Sequence, residues 1–172
     1  RDVAVTGVQT CALPISPLYL AAQNGHQAVV SLLLKSNAHV EDSTWSHSTP
    51  LHIAAQEGHE SVVGLLLDRG ASIDAVNSNN WTALHIAAQE GHESVVELLL
   101  DRNADVDATN QDNSTALFFA AKEGHESVVG LLLDRNADVN ATNQDNSTAL
   151  FFAAKEGHES VVGLLLDRGA SI

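Results

Sequence analysis

Apolar residues recur along the chain in two short clusters separated by polar residues. A representative first cluster contains Leu51, Ala54 and Ala55, which have the i, i+3, i+4 spacing of one helical face. Thr49 precedes this cluster as a hydroxyl residue suited to an N-cap, and the proline after it suits the first helical position. We therefore predict a short helix that ends near Gly58, and its alanines allow a neighbouring helix to approach closely.

The second apolar cluster follows a Gly-His dipeptide and is wider than the first. Its residues lie at i, i+1, i+4 and i+5, namely Val62, Val63, Leu66 and Leu67. Such a stripe faces two neighbours and predicts a second helix that ends near Arg69. The residue after this helix is glycine or asparagine in every copy, which predicts a left-handed C-cap. These residues are Asn37, Gly70, Asn103, Asn136 and Gly169.

The two clusters repeat at a fixed interval of 33 residues. The copies begin with Ser-Pro-Leu-Tyr at 16, Thr-Pro-Leu-His at 49, Thr-Ala-Leu-His at 82, and Thr-Ala-Leu-Phe at 115 and 148. A constant interval indicates one supersecondary unit stacked on copies of itself, because a single unit cannot cover its own apolar stripe. Segments rich in Asn, Asp and Ser join the copies and have the composition of projecting turns. The predicted units are 16–45, 46–78, 79–111, 112–144 and 145–172.

These motifs resemble the ankyrin repeat over residues 16–172. The shared features are the Thr-Pro-Leu-His opening, the alanine pair, Gly-His, Val-Val, Leu-Leu and hairpin starts such as Gly-Ala-Ser-Ile-Asp, with the family's period of 33. The resemblance implies an all-α solenoid of about five stacked helix-turn-helix units with projecting β-hairpin loops. It also implies a concave face, formed by hairpin tips and first helices, that binds other proteins.

Three units depart from the family's pattern at the position where a histidine bonds to the threonine of the opening motif. His52 and His85 match, whereas Tyr19, Phe118 and Phe151 stand there in the first, fourth and fifth units. We expect those units to lack the polar link and to replace it with aromatic packing. Neither end shows the polar capping repeat usual in the family, so we expect an exposed apolar face at the C-terminal end.

Residues 1–15 share nothing with the repeat and resemble the translation of a common short-read sequencing adapter. We interpret this segment as non-native, and the alternative is a natural extension that caps the first unit. Cys11 and Pro14 lie in it, so neither is interpreted biologically. The lack of methionine and an end that falls within a repeat lead us to expect a fragment.

The charge balance narrows the range of partners. The formal net charge is -14, from 8 Lys+Arg against 22 Asp+Glu, and such a chain repels a phosphate backbone. We therefore predict no nucleic-acid partner, and the lack of an 18-residue apolar run predicts no membrane span. Apart from Cys11 there is no cysteine for a disulfide or thiolate metal site, which favours an intracellular location, cytoplasmic or nuclear. We predict no cofactor.

The nine histidines mostly recur with the period, which favours structural roles over a metal site or catalysis. Seven of them stand at repeat-motif positions, with no acidic residue or cysteine at metal-ligand spacing. The glutamates form two columns, which either stabilise helix dipoles and solubility or offer a surface that prefers a basic partner. The columns are Glu57, Glu90, Glu123 and Glu156, and Glu60, Glu93, Glu126 and Glu159.

Trp45 and Trp81 interrupt the periodicity in adjoining hairpins and are the only tryptophans. Large aromatic residues are over-represented in binding hot spots, so we hypothesise that both anchor a partner. The alternative is that each ring packs against the neighbouring hairpin. The resemblance implies further contact residues in hairpins and first helices. They are Ser46, Ser48, Gln56, Glu57, Asn79, Gln89, Glu90, Gln111, Asp112, Ser114, Lys122, Glu123, Gln144, Asp145, Ser147, Lys155 and Glu156.

We predict a protein-interaction scaffold that binds a partner protein and has no catalytic activity of its own. The first alternative is a regulatory or targeting segment of a larger protein of kinase, channel or ubiquitin-ligase type. The second is a partly artificial chimera. Residues 112–135 and 145–168 are identical, and either recent duplication or misassembly of repetitive reads produces such identity.

Overall fold

The computed structural model describes residues 15–172, so the interpretation of the N-terminal segment, including Cys11 and Pro14, lies outside the described residues apart from Ile15. Between residues 15 and 172 the chain forms ten α-helices and no β-strand. The all-α prediction is therefore confirmed. The helices are α1 Pro17–Gln23, α2 Gln27–Lys35, α3 Pro50–Gln56, α4 Glu60–Asp68, α5 Ala83–Glu90, α6 Glu93–Asp101, α7 Ala116–Glu123, α8 Glu126–Asp134, α9 Ala149–Glu156 and α10 Glu159–Asp167.

Each first helix begins at the predicted N-cap. In α5 the Thr82 side chain accepts a hydrogen bond from the backbone N–H of His85, and Nδ1 of His85 accepts one from the backbone N–H of Thr82 at 3.2 Å. This reciprocal pair satisfies two donors that the first helical turn leaves free. The helix ends where Gly91 takes a left-handed conformation with φ of 76°.

Helices stack in two rows, since each one packs against its partner in the same unit and its counterparts in the neighbouring units. Ala54, Ala55, Ala87 and Ala88 are completely buried between successive first helices. Their small side chains permit the close approach that the sequence predicts. The core therefore runs along the array as one continuous cluster rather than as a central ball.

The predicted left-handed C-caps of the second helices are confirmed, with φ of 63° at Asn37, 64° at Asn103 and 87° at Gly70. After α4 the N–H of Gly70 donates to the carbonyl oxygen of Leu67, and that of Ala71 to Leu66, both at 3.0 Å. These are the two bonds of a Schellman motif. They fix the direction in which the chain leaves each second helix.

The Gly-His dipeptide couples each unit to the one before it. Nε2 of His92 donates to the carbonyl oxygen of Gln56 at 2.8 Å, and a Cβ at Gly58 would lie 2.7 Å from the His92 ring. Glycine is therefore required at position 58 for two reasons. Its φ is 72°, and a side chain there would collide with the His92 ring.

The connecting loops 37–48, 70–81, 103–114 and 136–147, which we call fingers, are hairpin turns. In the second of them the N–H of Asn77 donates to the carbonyl oxygen of Trp81 at 3.0 Å, around a tip where Asn80 has φ of 58°. Backbone bonds also join neighbouring fingers, from Ser78 to Ser46 at 2.9 Å. With few such bonds the fingers form no regular strands in the described part of the chain.

The identical segments 112–135 and 145–168 of the fourth and fifth units differ in burial. Phe118 is 8% exposed beneath the following unit, whereas its counterpart Phe151 is 54% exposed. Phe151, Leu166 and Ile172 line an apolar surface depression at the C-terminal end. The expected exposed apolar face is thus present.

Candidate protein-binding surface

Trp81 occupies the base of the second finger, where the chain enters α5. Its backbone N–H donates to Oδ1 of Asn77 at 3.1 Å. Its carbonyl oxygen accepts from the N–H of Asn77 at 3.0 Å and from Nε2 of His52, also at 3.0 Å. Both the finger and the preceding unit therefore hold this backbone, which fixes where the indole ring emerges.

A chain of aromatic rings extends from Trp81 across the next two units. The Trp81 ring centroid lies 4.2 Å from that of Phe119, which contacts Phe118 at 5.3 Å. Phe118 in turn lies 4.4 Å from Phe152. These tilted and edge-on contacts suit the quadrupoles of the rings, so the four side chains form one continuous aromatic floor. The expected aromatic packing in place of the His-Thr link is confirmed at Phe118.

Above this floor lies a cavity of about 400 Å³, which we call the Trp81 cavity. Its walls come from three successive fingers and from the first helices α7 and α9. Aromatic rings form its base and polar side chains its rim. Its lining residues are Trp81, Asn110, Asp112, Ser114, Phe118, Phe119, Lys122, Asn143, Gln144, Asp145 and Phe152.

A second, smaller cavity of about 270 Å³ lies on the other side of Trp81, and we call it the Gln89 cavity. Its apolar base is Ile86, which stands one period before Phe119. The Trp81 ring thus separates two depressions on the same face. The lining residues of this second cavity are Gln56, Asn77, Asn79, Trp81, Ile86, Gln89 and Glu90.

Most of the predicted contact residues on this face line one of these cavities or stand beside it. The Trp81 cavity contains Trp81, Asp112, Ser114, Lys122, Gln144 and Asp145. The Gln89 cavity contains Trp81, Gln56, Asn79, Gln89 and Glu90. The predicted residues that line neither cavity are Trp45, Ser46, Ser48, Glu57, Gln111, Glu123, Ser147, Lys155 and Glu156.

The two tryptophans differ in their surroundings. Trp45 is 75% exposed, whereas Trp81 is half-buried. Trp81 packs on Phe119 in the first helix of the next unit, with the ring centroids 4.2 Å apart. The two rings are therefore unequal parts of the predicted surface.

Some predicted contact residues also hold the fingers together. Nε2 of Gln111 donates to the carbonyl oxygen of Ser78, and Nε2 of Gln144 to that of Gln111, both at 2.6 Å. Ser114 is 4% exposed, and its carbonyl oxygen accepts from Nε2 of His85 at 3.1 Å. Ser114 thus serves mainly to position the finger.

Charges along this face are unevenly compensated. Lys122 lies 3.6 Å from Glu123 and Lys155 lies 3.9 Å from Glu156. The corresponding positions in the second and third units carry glutamine before the glutamate, and Glu57 and Glu90 are exposed. The glutamates of the second and third units thus have no lysine beside them, whereas the fourth and fifth units carry a lysine and the additional carboxylates of Asp112 and Asp145.

The buried histidines are structural groups with fixed tautomers. Nε2 of His52 faces a carbonyl oxygen and must donate, so Nδ1 is the acceptor for the backbone N–H of Thr49 at 3.2 Å. Burial lowers the pKa of both His52 and His85 below the ordinary value of 6.5. In residues 15–172 no group of three or more His, Cys, Asp or Glu side chains is arranged to hold a metal ion.

Comparison with family models identifies the repeat. A model described as ankyrin repeats (many copies) matches residues 18–67 and 51–100, and one described as ankyrin repeats (3 copies) matches residues 103–172. The chain belongs to the ankyrin repeat family. A search of the curated proteins finds no match.

Ankyrin repeats are generally protein–protein interaction modules, and domains built from them are typically non-catalytic. The array as described has no helix with the length and hydrophobicity needed to cross a bilayer. The face with the two cavities presents aromatic rings, amides and carboxylates on a stack of packed helices.

Sequence reasoning missed the base of the Trp81 cavity. Phe119 and Phe152 replace Ile53 and Ile86 at one position of the ankyrin period, immediately after the histidine position. Phe118 was interpreted only through the polar link it lacks. The signal was available, since the paired phenylalanines of the fourth and fifth units depart from the His-Ile pairs of the second and third.

Proposed function

We propose that this ankyrin array binds a partner protein through the face formed by its finger tips and first helices, with Trp81 at the centre of the contact. The observation that carries the proposal is the position of Trp81 as a half-buried ring between two cavities. Partly exposed aromatic side chains on rigid backbone lose little entropy on binding and dominate many interfaces.

The surrounding polar groups support recognition of a protein rather than chemistry on a small molecule. Amide and carboxylate groups of Asn79, Gln89 and Asp112 ring the two cavities and can pair with backbone and side-chain groups of a partner. A net charge of -14 favours a partner with a basic surface and accelerates its association at low salt.

The test begins by finding the partner through the face itself. A photo-crosslinking amino acid replaces Gln89 on α5, and a matched variant carries it at Glu97, an exposed residue of α6. Proteins captured from Gln89 but not from Glu97 are then purified, and their affinity is measured for the native chain and for Trp81→Ala and Trp45→Ala.

We expect Trp81→Ala to weaken binding by at least about 1 kcal/mol, the threshold of an energetically important contact. Circular dichroism of each variant shows whether the array remains folded. A loss below about 0.5 kcal/mol at both tryptophans would refute the proposal. The alternative of a regulatory or targeting array within a larger protein uses the same face, so the experiment applies to both.

A further inference from the structure

The Trp81 cavity has a composition that distinguishes it from the rest of the face. Its base consists of the rings of Trp81, Phe118, Phe119 and Phe152, and its rim carries the carboxylates of Asp112 and Asp145. A purely apolar ligand would cover the rings but would make no use of the exposed carboxylates at the edge. An amphipathic cationic side chain matches both parts.

We propose that the Trp81 cavity receives an arginine side chain of the partner protein. The guanidinium group is planar, stacks on aromatic faces, and donates in a fork that fits carboxylates, while its aliphatic stem covers apolar surface. In this cavity the stem lies on the aromatic floor and the charged end meets Asp112 and Asp145. The inference rests on the proposed function, since it names the chemistry of the partner at one position.

One ring of the floor, that of Phe152, already lies near a cation. Nζ of Lys155 lies 5.2 Å from the ring centroid of Phe152, within cation–π range. Lys155 does not line the cavity, so it leaves the space free.

Lys122 is the one lysine or arginine that lines the cavity, and it opposes a second cation. Its ammonium group lies 3.6 Å from Glu123, which offsets part of its charge. The third unit has Gln89 at the same repeat position. Lys122→Gln therefore removes the opposing charge with a side chain that the array itself tolerates there, and it should strengthen the binding of arginine.

The Gln89 cavity supplies a comparison within the same molecule. It has Ile86 where the Trp81 cavity has Phe119, and Asn79 where the Trp81 cavity has Asp112. Phe119→Ile and Asp112→Asn therefore convert features of one cavity into those of the other. Both changes should weaken the binding of arginine without altering the repeat pattern.

The experiment titrates the full chain carrying Trp45→Phe, so that Trp81 is the only indole reporter, with N-acetyl-arginine amide and separately with N-acetyl-citrulline amide. Citrulline has nearly the same shape as arginine but no charge. The readout is the indole N–H resonance of Trp81. We expect saturable binding of the arginine probe, at least about fivefold tighter than that of citrulline, and weaker at high salt.

Asp112→Asn and Asp145→Asn should each weaken the arginine probe about two- to fivefold, and Lys122→Gln should tighten it by a similar factor. Glu97→Gln, at an exposed position of α6 outside this face, removes one carboxylate as the matched control and should change it least. Equal binding of citrulline, or no response to either aspartate change, overturns the inference. If Trp81→Ala still weakens the binding of the partner in that event, the proposed function stands and only the arginine site fails.

Discussion

The imidazole of His52 donates from Nε2 to the carbonyl oxygen of Trp81, 3.0 Å away in the next repeat. The same ring accepts at Nδ1 from the backbone N–H of Thr49. One buried side chain thus caps its own helix and holds the backbone of Trp81 in the next unit. His85 has the equivalent contacts with Thr82 and Ser114.

This geometry predicts that stability falls as the solution becomes acidic. Burial lowers the pKa of His52 and His85 in the folded state, although nearby Glu41 and Asp105 act in the opposite direction. Above about pH 6.5 both histidines are neutral in either state and contribute no pH dependence. Below it the unfolded chain binds protons that the folded chain does not, so the free energy of unfolding decreases until the pH reaches the lowered folded pKa.

The two histidines together change the free energy of unfolding by at most about 2.7 kcal/mol per pH unit. Urea unfolding at a series of pH values from 7.5 to 5 measures this slope. The matched control is the double variant His52→Phe/His85→Phe, since Phe118 stands at this position in the fourth unit. The control should lose this part of the slope. An unchanged slope in the double variant would show that other groups cause the acid sensitivity.

The two tryptophans should differ in their effect on folding. Trp45 is 75% exposed, so Trp45→Ala should change the free energy of unfolding by less than about 0.5 kcal/mol. Trp81 is half-buried against Phe119, and Trp81→Ala should cost about 1–2 kcal/mol, less than the 3–5 of a fully buried aromatic. Chemical denaturation of both variants checks this, and equal losses would contradict the structure.

The Gly-His coupling predicts a difference between two alanine substitutions. A Cβ at Gly91 would lie 2.6 Å from the His125 ring, whereas Gly157 has nothing within 4 Å, and both residues have positive φ. Gly157→Ala should therefore cost about 1 kcal/mol from backbone strain alone, and Gly91→Ala at least about 2.

A chain that carries His125→Ala separates the cost of the steric contact at Gly91 from the cost of backbone strain and from fraying of the last unit. Combining Gly91→Ala with His125→Ala removes the ring that the new methyl group would meet. The cost of Gly91→Ala in that background should drop towards the Gly157→Ala value, as a double-mutant cycle measures. Full additivity of the two changes would assign the cost to the backbone and not to the histidine.

Exposed Arg–Asp ion pairs join successive second helices, and α2 ends in a lysine where the other second helices end in an aspartate. Arg102 bonds Asp68 at 2.8 Å, but the residue one period before Asp68 is Lys35, which carries the same charge as Arg69. Lys35→Asp should stabilise the array by about 0.2–1 kcal/mol at low salt. The gain should vanish near 1 M salt, where the Debye length is about 3 Å. A gain that persists at 1 M salt would point to helix propensity or packing instead.

The fold followed from the sequence because each unit repeats the same local rules. The caps at Thr82 and Asn103 and the alanine pair of each first helix are determined by nearby residues, and the period then dictates how the units stack. The cavity beside Trp81 was harder to predict because it depends on three units at once. Phe119 and Phe152 acquire their roles only when the stacking brings them beneath neighbouring fingers.

Residues 112–135 and 145–168 are identical, yet Phe118 is buried and Phe151 is not. The burial of this phenylalanine is thus determined by whether another unit packs on it. Deleting residues 112–144 would leave a regular four-unit array. Asp145 and Phe152 would then take the places of Asp112 and Phe119 beside Trp81. No residues would remain to form the far wall of the cavity, which Asp145 and Phe152 now provide. The copy number of the repeat would then determine whether the complete Trp81 cavity exists at all, with no change in the sequence of any single copy.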